Sequence, residues 1–246
     1  SITAATNGTA PAAGTIFTVY NGSRFATFGS VPGPARDGRG TNDLASVTAL
    51  RDGGLAVAVS DRILRIEPSG RTTVLVGGGA GAFSEGALGT SIAINSQNAR
   101  VAADPTRDRL YYEHVPIGTP AVEGCVIRYV DLTTGTVHHF AGTVSACAAG
   151  PEGGLAATTS FPNTNDIVVN DTGVVFHVST CGGSDWVVRS IDTSGIVRFV
   201  LRHGDPSGPY TISNGSGCFS APRFLATIPG SPDIYVQVTV TGPWGS

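Results

Sequence analysis

The sequence predicts an all-β fold, an array of small four-stranded antiparallel sheets, and three observations carry that prediction. First, residues 62–70, 125–135 and 186–195 share one pattern: an apolar alternating run with an Arg in its middle, then an acidic residue, then a turn ending in Gly. Second, each copy is followed by another apolar run, at residues 72–77, 136–142 and 196–201. Third, the aligned Arg65, Arg128 and Arg189 stand 63 and 61 residues apart, a spacing that marks a repeat array.

Each copy extends backwards into a second strand pair. Residues 46–51 and 55–59 flank Asp52-Gly53-Gly54, residues 99–103 and 110–115 flank a turn opened by Asp104-Pro105, and residues 166–169 and 174–178 flank Asn170–Gly173. Asx-Gly and Asp-Pro steps close the tight reversals that antiparallel pairs need. The unit is therefore four strands, a to d. One such sheet cannot bury both faces, so the copies are expected to stack around an axis as the blades of a β-propeller. Whole blades are expected at 46–77, 99–142 and 166–201. A fourth is expected from the two chain ends, with residues 222–240 as strands a and b and residues 15–28 as strands c and d; Thr18 takes the place of the repeated Arg. Joined, they make 1–246 one domain without an open edge strand. A piece of a larger propeller, or a ring completed by a second chain, fits the same halves.

Composition agrees and excludes several classes. With 34 Gly and 15 Pro, the chain is rich in the residues that supply turn conformations. With 41% hydrophobic residues and a net charge of only −3, it is not disordered. All 15 basic residues are Arg and none clusters to neutralise phosphates, so nucleic acid is not an expected partner. No apolar run approaches the roughly 18 residues that span a bilayer. The absence of Met, and a start at Ser1 with neither charge nor apolar core, lead to the expectation of a chain whose leader has been removed.

Four cysteines, Cys125, Cys147, Cys181 and Cys218, form no CxxC pair, which disfavours zinc. They take corresponding places in successive repeats, alternately at a b–c junction and in a d–a connector. Those connections leave a meander on one face, so the pairing Cys125–Cys147 and Cys181–Cys218 is expected among three connectivities. Asn7, Asn21, Asn170 and Asn214 head glycosylation tripeptides. Cysteines and sequons together point to a secreted or cell-surface protein.

The d–a connectors are long and Gly-rich, as functional loops often are. Residues 77–89 superficially match a phosphate loop but lack its Lys-Ser/Thr and any following helix. Phe83, Tyr210, Phe219 and Trp244 are the candidate binding aromatics; Phe83 and Phe219 serve equally as plugs between blades. The Arg series is read as structural, its stems covering apolar surface beside Glu67, Asp131 and Asp192. His138 and His139 are adjacent on one strand and face opposite sides, so they cannot chelate one ion. No Gly-X-Ser-X-Gly elbow is present, and Glu85, Glu113, Glu152 and Asp205 show no paired spacing.

The pattern of residues 126–142 and 186–199, Arg-bearing strand, Asp, Gly and a closing apolar run, resembles NHL-repeat β-propellers. Phe161-Pro162 and Ile167–Val169 look like that family's inter-blade segment. The connectors are longer than the family's, and the acidic residue after strand b survives only as Asp61. The resemblance implies protein binding. The expected function is therefore a non-catalytic extracellular scaffold, without metal or cofactor, whose long loops bind a protein or glycan or join a larger surface assembly. The alternative is a hydrolase or lyase acting at a central channel.

Overall fold

The computed structural model describes residues 33–34, 44–59, 61–94, 100–114, 126–143, 150–161, 163–180, 186–202, 218–228 and 230–241. Among these the chain is all-β, with no α-helix. Fifteen strands run in order: β1 (Gly33–Pro34), β2 (Leu44–Ala49), β3 (Leu55–Val59), β4 (Arg62–Ile66), β5 (Arg71–Gly77), β6 (Val101–Ala103), β7 (Arg109–His114), β8 (Val126–Asp131), β9 (Val137–Ala141), β10 (Asn163–Val169), β11 (Val175–Thr180), β12 (Trp186–Ile191), β13 (Val197–Arg202), β14 (Cys218–Thr227) and β15 (Ile234–Thr241). They form four sheets, ordered β1-β5-β4-β3-β2, β6-β7-β8-β9, β10-β11-β12-β13 and β14-β15. This is the propeller-blade architecture that the repeats predict. The N-terminal half-blade, residues 15–28, lies outside the described residues.

The described chain divides into two compact units. One holds the first sheet, Asp108–Ile117 and Tyr129–His138; the other holds Asp104–Arg107, Gly118–Arg128 and everything from His139 onward. In the first unit, β3 is buried on both faces, which explains its unbroken apolar run. Ala56 and Ala58 join Ile63, Val76, Ile92, Leu110, Tyr112 and Val137 in the main core. Val57 and Val59 face the other way, with Leu64 and Ile66. In the second unit, Val178, Trp186, Val188, Leu201 and Leu225 close over one face of the third sheet.

Side chains at the turns close the strand pairs. Asp104 Oδ1 accepts from the Thr106 and Arg107 N–H groups and from the Thr106 hydroxyl. Asn170 does the same for its turn, its Oδ1 accepting from Thr172 N–H, Thr172 O–H and Val174 N–H, while its Nδ2 donates to Pro232 O at 3.0 Å. Asn170 is buried. At this expected glycosylation position the side-chain nitrogen is hydrogen-bonded inside the fold. Asn170→Ala is expected to cost about 2 kcal/mol by urea denaturation. Asn170→Asp keeps the turn bonds but sets a buried carboxylate oxygen against the Pro232 carbonyl, so it should not restore the native stability.

Two arginines of the series have neighbours within the fold other than the expected acids. Arg65 pairs with Asp52 rather than Glu67. Arg189 is fully buried, its guanidinium 5.5 Å from the Phe161 ring centroid and 5.0 Å from that of Phe199. Asp131 and Asp192 instead cap their own turns, accepting from Thr133 and Thr134 and from Ser194 and Ile196.

Candidate functional site

The connector after β5 folds back along β9. Gly86 N–H donates to Val137 O at 2.9 Å, Val137 N–H to Ala87 O at 2.8 Å, and Gly89 N–H to Gly135 O at 2.8 Å. The connector thus continues the sheet by one short strand and sets Glu85 opposite His138.

His138 Nδ1 lies 2.6 Å from Glu85 Oε1, and His138 Nε2 lies 2.9 Å from Thr136 Oγ1. Thr136 Oγ1 is in turn 2.7 Å from Thr134 Oγ1. The carboxylate only accepts, so it selects the tautomer with the proton on Nδ1. Nε2 can then accept from the Thr136 hydroxyl, while between Thr136 and Thr134 either hydroxyl can donate. A carboxylate, an imidazole and a hydroxyl therefore stand in line.

The ring is held in plane as well as by its ends. Tyr129 on β8 stacks on His138 with centroids 5.0 Å apart and planes 23° apart. Arg109 on β7 lies over Tyr129, its guanidinium carbon 4.4 Å from the ring centroid. Asp131 is held below the usual carboxylate range, chiefly by the Thr134 N–H bond, with Thr133 N–H, the Thr134 hydroxyl and Arg109 acting the same way. The imidazole remains open to solvent at 27% exposure, and the Glu85 carboxylate at 62%. A hydrogen bond this exposed orients the ring far more than it stabilises the fold.

The third sheet repeats the scaffold without the chemistry. Gly153 N–H donates to Val197 O, Val197 N–H to Gly154 O, and Leu155 bridges Ile196 as Leu88 bridges Thr136. Glu152 stands at the offset of Glu85, but Ile196 replaces Thr136 and Arg198 replaces His138. Arg198 lies 3.9 Å from Asp192. The backbone clamp is common to both sheets; the base and its hydroxyl belong to one.

Sequence reasoning missed this site because Glu85 and His138 are 53 residues apart. The available signal was the shared offset of Glu85 and Leu88 with Glu152 and Leu155, which marks corresponding connector positions. Of the expected binding aromatics, Phe83 packs half-buried against the main core. Phe219 and Cys218 lie on β14, but their side chains are outside the described set. Tyr210, Trp244, Cys125, Cys147, Cys181, Asn7, Asn21 and Asn214 lie outside the described residues. His139 faces away from His138, its Nε2 3.2 Å from Ala157 O. Among the described residues no three His, Cys, Asp or Glu side chains form a metal-binding group. Nor do these residues include a helix long and apolar enough to cross a membrane.

No family model and no curated protein matches the chain. Solved structures do resemble it. A puromycin hydrolase is 21% identical, with 71% of this chain and 24% of that chain covered and a TM-score of 0.39. A gluconolactonase from Xanthomonas campestris is 14% identical, covering 65% and 49% at a TM-score of 0.40. Regucalcin, a calcium-binding protein from Agrobacterium tumefaciens, is 14% identical, covering 63% and 43% at 0.37. The chain spans about a quarter to a half of the length of these structures. These are likenesses of fold alone; the propeller-blade architecture is read from the chain's own antiparallel sheets. The expectation of a non-catalytic scaffold is corrected at this point: the structures that the chain resembles include a hydrolase and a gluconolactonase.

Proposed function

We propose that the chain is an extracellular, NHL-like propeller hydrolase in which His138 is the general base. The Glu85–His138–Thr136 line is the single observation that carries this reading. Glu85 fixes the tautomer and steadies the imidazolium that forms when His138 takes a proton. Thr136, hydrogen-bonded to Nε2, is the hydroxyl so activated, and it adds to the acyl carbon of an ester, lactone or amide. His138 then returns the proton to the leaving group, and water releases the acyl group by the same route. The even cysteine count and the sequons support the extracellular setting. Hydrolase names among the structural neighbours are consistent with the reaction class and say nothing of this chain's substrate.

The test is turnover of a panel of aryl esters, lactones and aryl amides by the purified chain and its variants. His138→Ala and Thr136→Ala should each lower kcat by about 10³ or more, Glu85→Gln by less, and Thr136→Ser should retain activity. Turnover unchanged in His138→Ala, or absent across the panel, rejects the proposal.

A further inference from the structure

The third sheet carries a second polar group of side chains that the relay does not use. Thr164 on β10 and Ser179 on β11 are directly opposed across the strand pair. His177 lies two residues from Ser179 on the same face, and Arg189 on β12 is directly opposite His177. All four are more than nine-tenths buried. Among the described residues, the Thr164 and Ser179 hydroxyls and both ring nitrogens of His177 have no hydrogen-bond partner.

Each such atom in a dry interior costs about 1–3 kcal/mol. Native proteins answer such a group with ordered water or an ion. Four orphan atoms in one row are not a demand of the fold. In the first sheet, Ala56 and Ala58 hold the positions of His177 and Ser179 by register, and they are ordinary core residues.

The charge on the row selects the guest. Arg189 presents a buried cation on this face, held against Phe161, Phe199 and the Gly150 carbonyl at 3.4 Å. Two hydroxyls and one imidazole N–H are available to donate. Asp166, the carboxylate on β10, bonds instead to Leu225 N–H at 2.6 Å; its strand partner Val178 belongs to the opposite face of the sheet. A metal cation is repelled here, and an acceptor of hydrogen bonds is attracted. We propose that Thr164, Ser179 and His177, beside Arg189, form a buried site for a small monovalent anion of the halide class.

The test uses the whole chain, with thermal unfolding followed in halide-free gluconate and with chloride or bromide added at constant ionic strength. A saturable rise in Tm with halide is expected. A Thr164→Val, Ser179→Ala double variant should lose that rise. Crystals grown in bromide should show an anomalous peak within hydrogen-bond distance of Ser179 Oγ, which tests the site even where the variant fails to fold. A Tm that follows ionic strength alone, or ordered water without bromide in the row, overturns the proposal. Neither result bears on turnover at His138, so the two readings stand or fall separately.

Discussion

In halide-free buffer the protein should lose about 2 kcal/mol of stability between pH 7.5 and pH 5, and His177→Leu should remove most of that loss. His177 is fully buried, and burial, with the nearby Arg189 charge as the second cause, lowers its pKa from 6.5 to about 3. In the unfolded chain the imidazole titrates near its ordinary value. Below pH 6.5 the unfolded state therefore binds a proton that the native state refuses. The stabilisation is fully present above pH 6.5 and is lost as pH falls towards 3. At pH 5 the separation is 1.5 units from the unfolded value, or about 2 kcal/mol. The groups around the ring cannot offset this: Thr164, Ser179 and Phe161 carry no charge, and Arg189 opposes protonation. Asp61, lowered chiefly by its hydrogen bond to Arg62, and Asp131 lose their contributions only below their ordinary value of 3.8, outside this window. Leu at position 177 leaves no nitrogen to charge. Urea denaturation at the two pH values decides the matter, and an unchanged acid slope in His177→Leu would assign it elsewhere.

His177 also shows what the sequence could and could not reveal. Its strand was legible, because Val-Val-Phe-His-Val after an Asn-Asp-Thr-Gly turn reads as the second arm of a hairpin. Its burial was not. The alternation places one polar residue on a face without saying whether that face meets water or another sheet. The acidic residues after each Arg were misassigned for a related reason. An Asx side chain reaches the N–H groups two and three residues ahead more readily than a cross-strand guanidinium, so Asp131 and Asp192 close their own turns. The relay was hidden by connector geometry. Glu85 gains its meaning only once Gly86–Gly89 pairs with β9, a pairing that local periodicity does not encode. The same long, Gly-rich connectors that looked like free recognition loops are, in this stretch, added sheet.

Gly77→Ala should cost about 4 kcal/mol, while Gly135→Ala should cost only about 1, although both glycines have positive φ. Gly77 has φ +91° and pairs with Arg62 at the end of β5. A Cβ there would sit 2.8 Å from Arg62 Cα and 2.8 Å from Ile94 Cγ1, with the Asp61 carbonyl oxygen closer still. Two of those three neighbours are backbone and cannot swing aside. Ile94 belongs to the main core, so relief on that side disturbs packing. Gly135, at φ +74°, closes the β8–β9 turn and has nothing within 4 Å of the added carbon, so it carries only the conformational strain of a left-handed alanine. The difference between the two variants thus isolates close backbone approach from positive φ. Equal losses in urea denaturation would mean that β5 does not end against Asp61 and Arg62 as described. A large loss for Gly77→Ala alone fixes the point where the first sheet ends and the connector carrying Glu85 begins. Such a variant, studied at a temperature where it remains folded, should also lower turnover at His138, because the connector that carries Glu85 starts from that glycine.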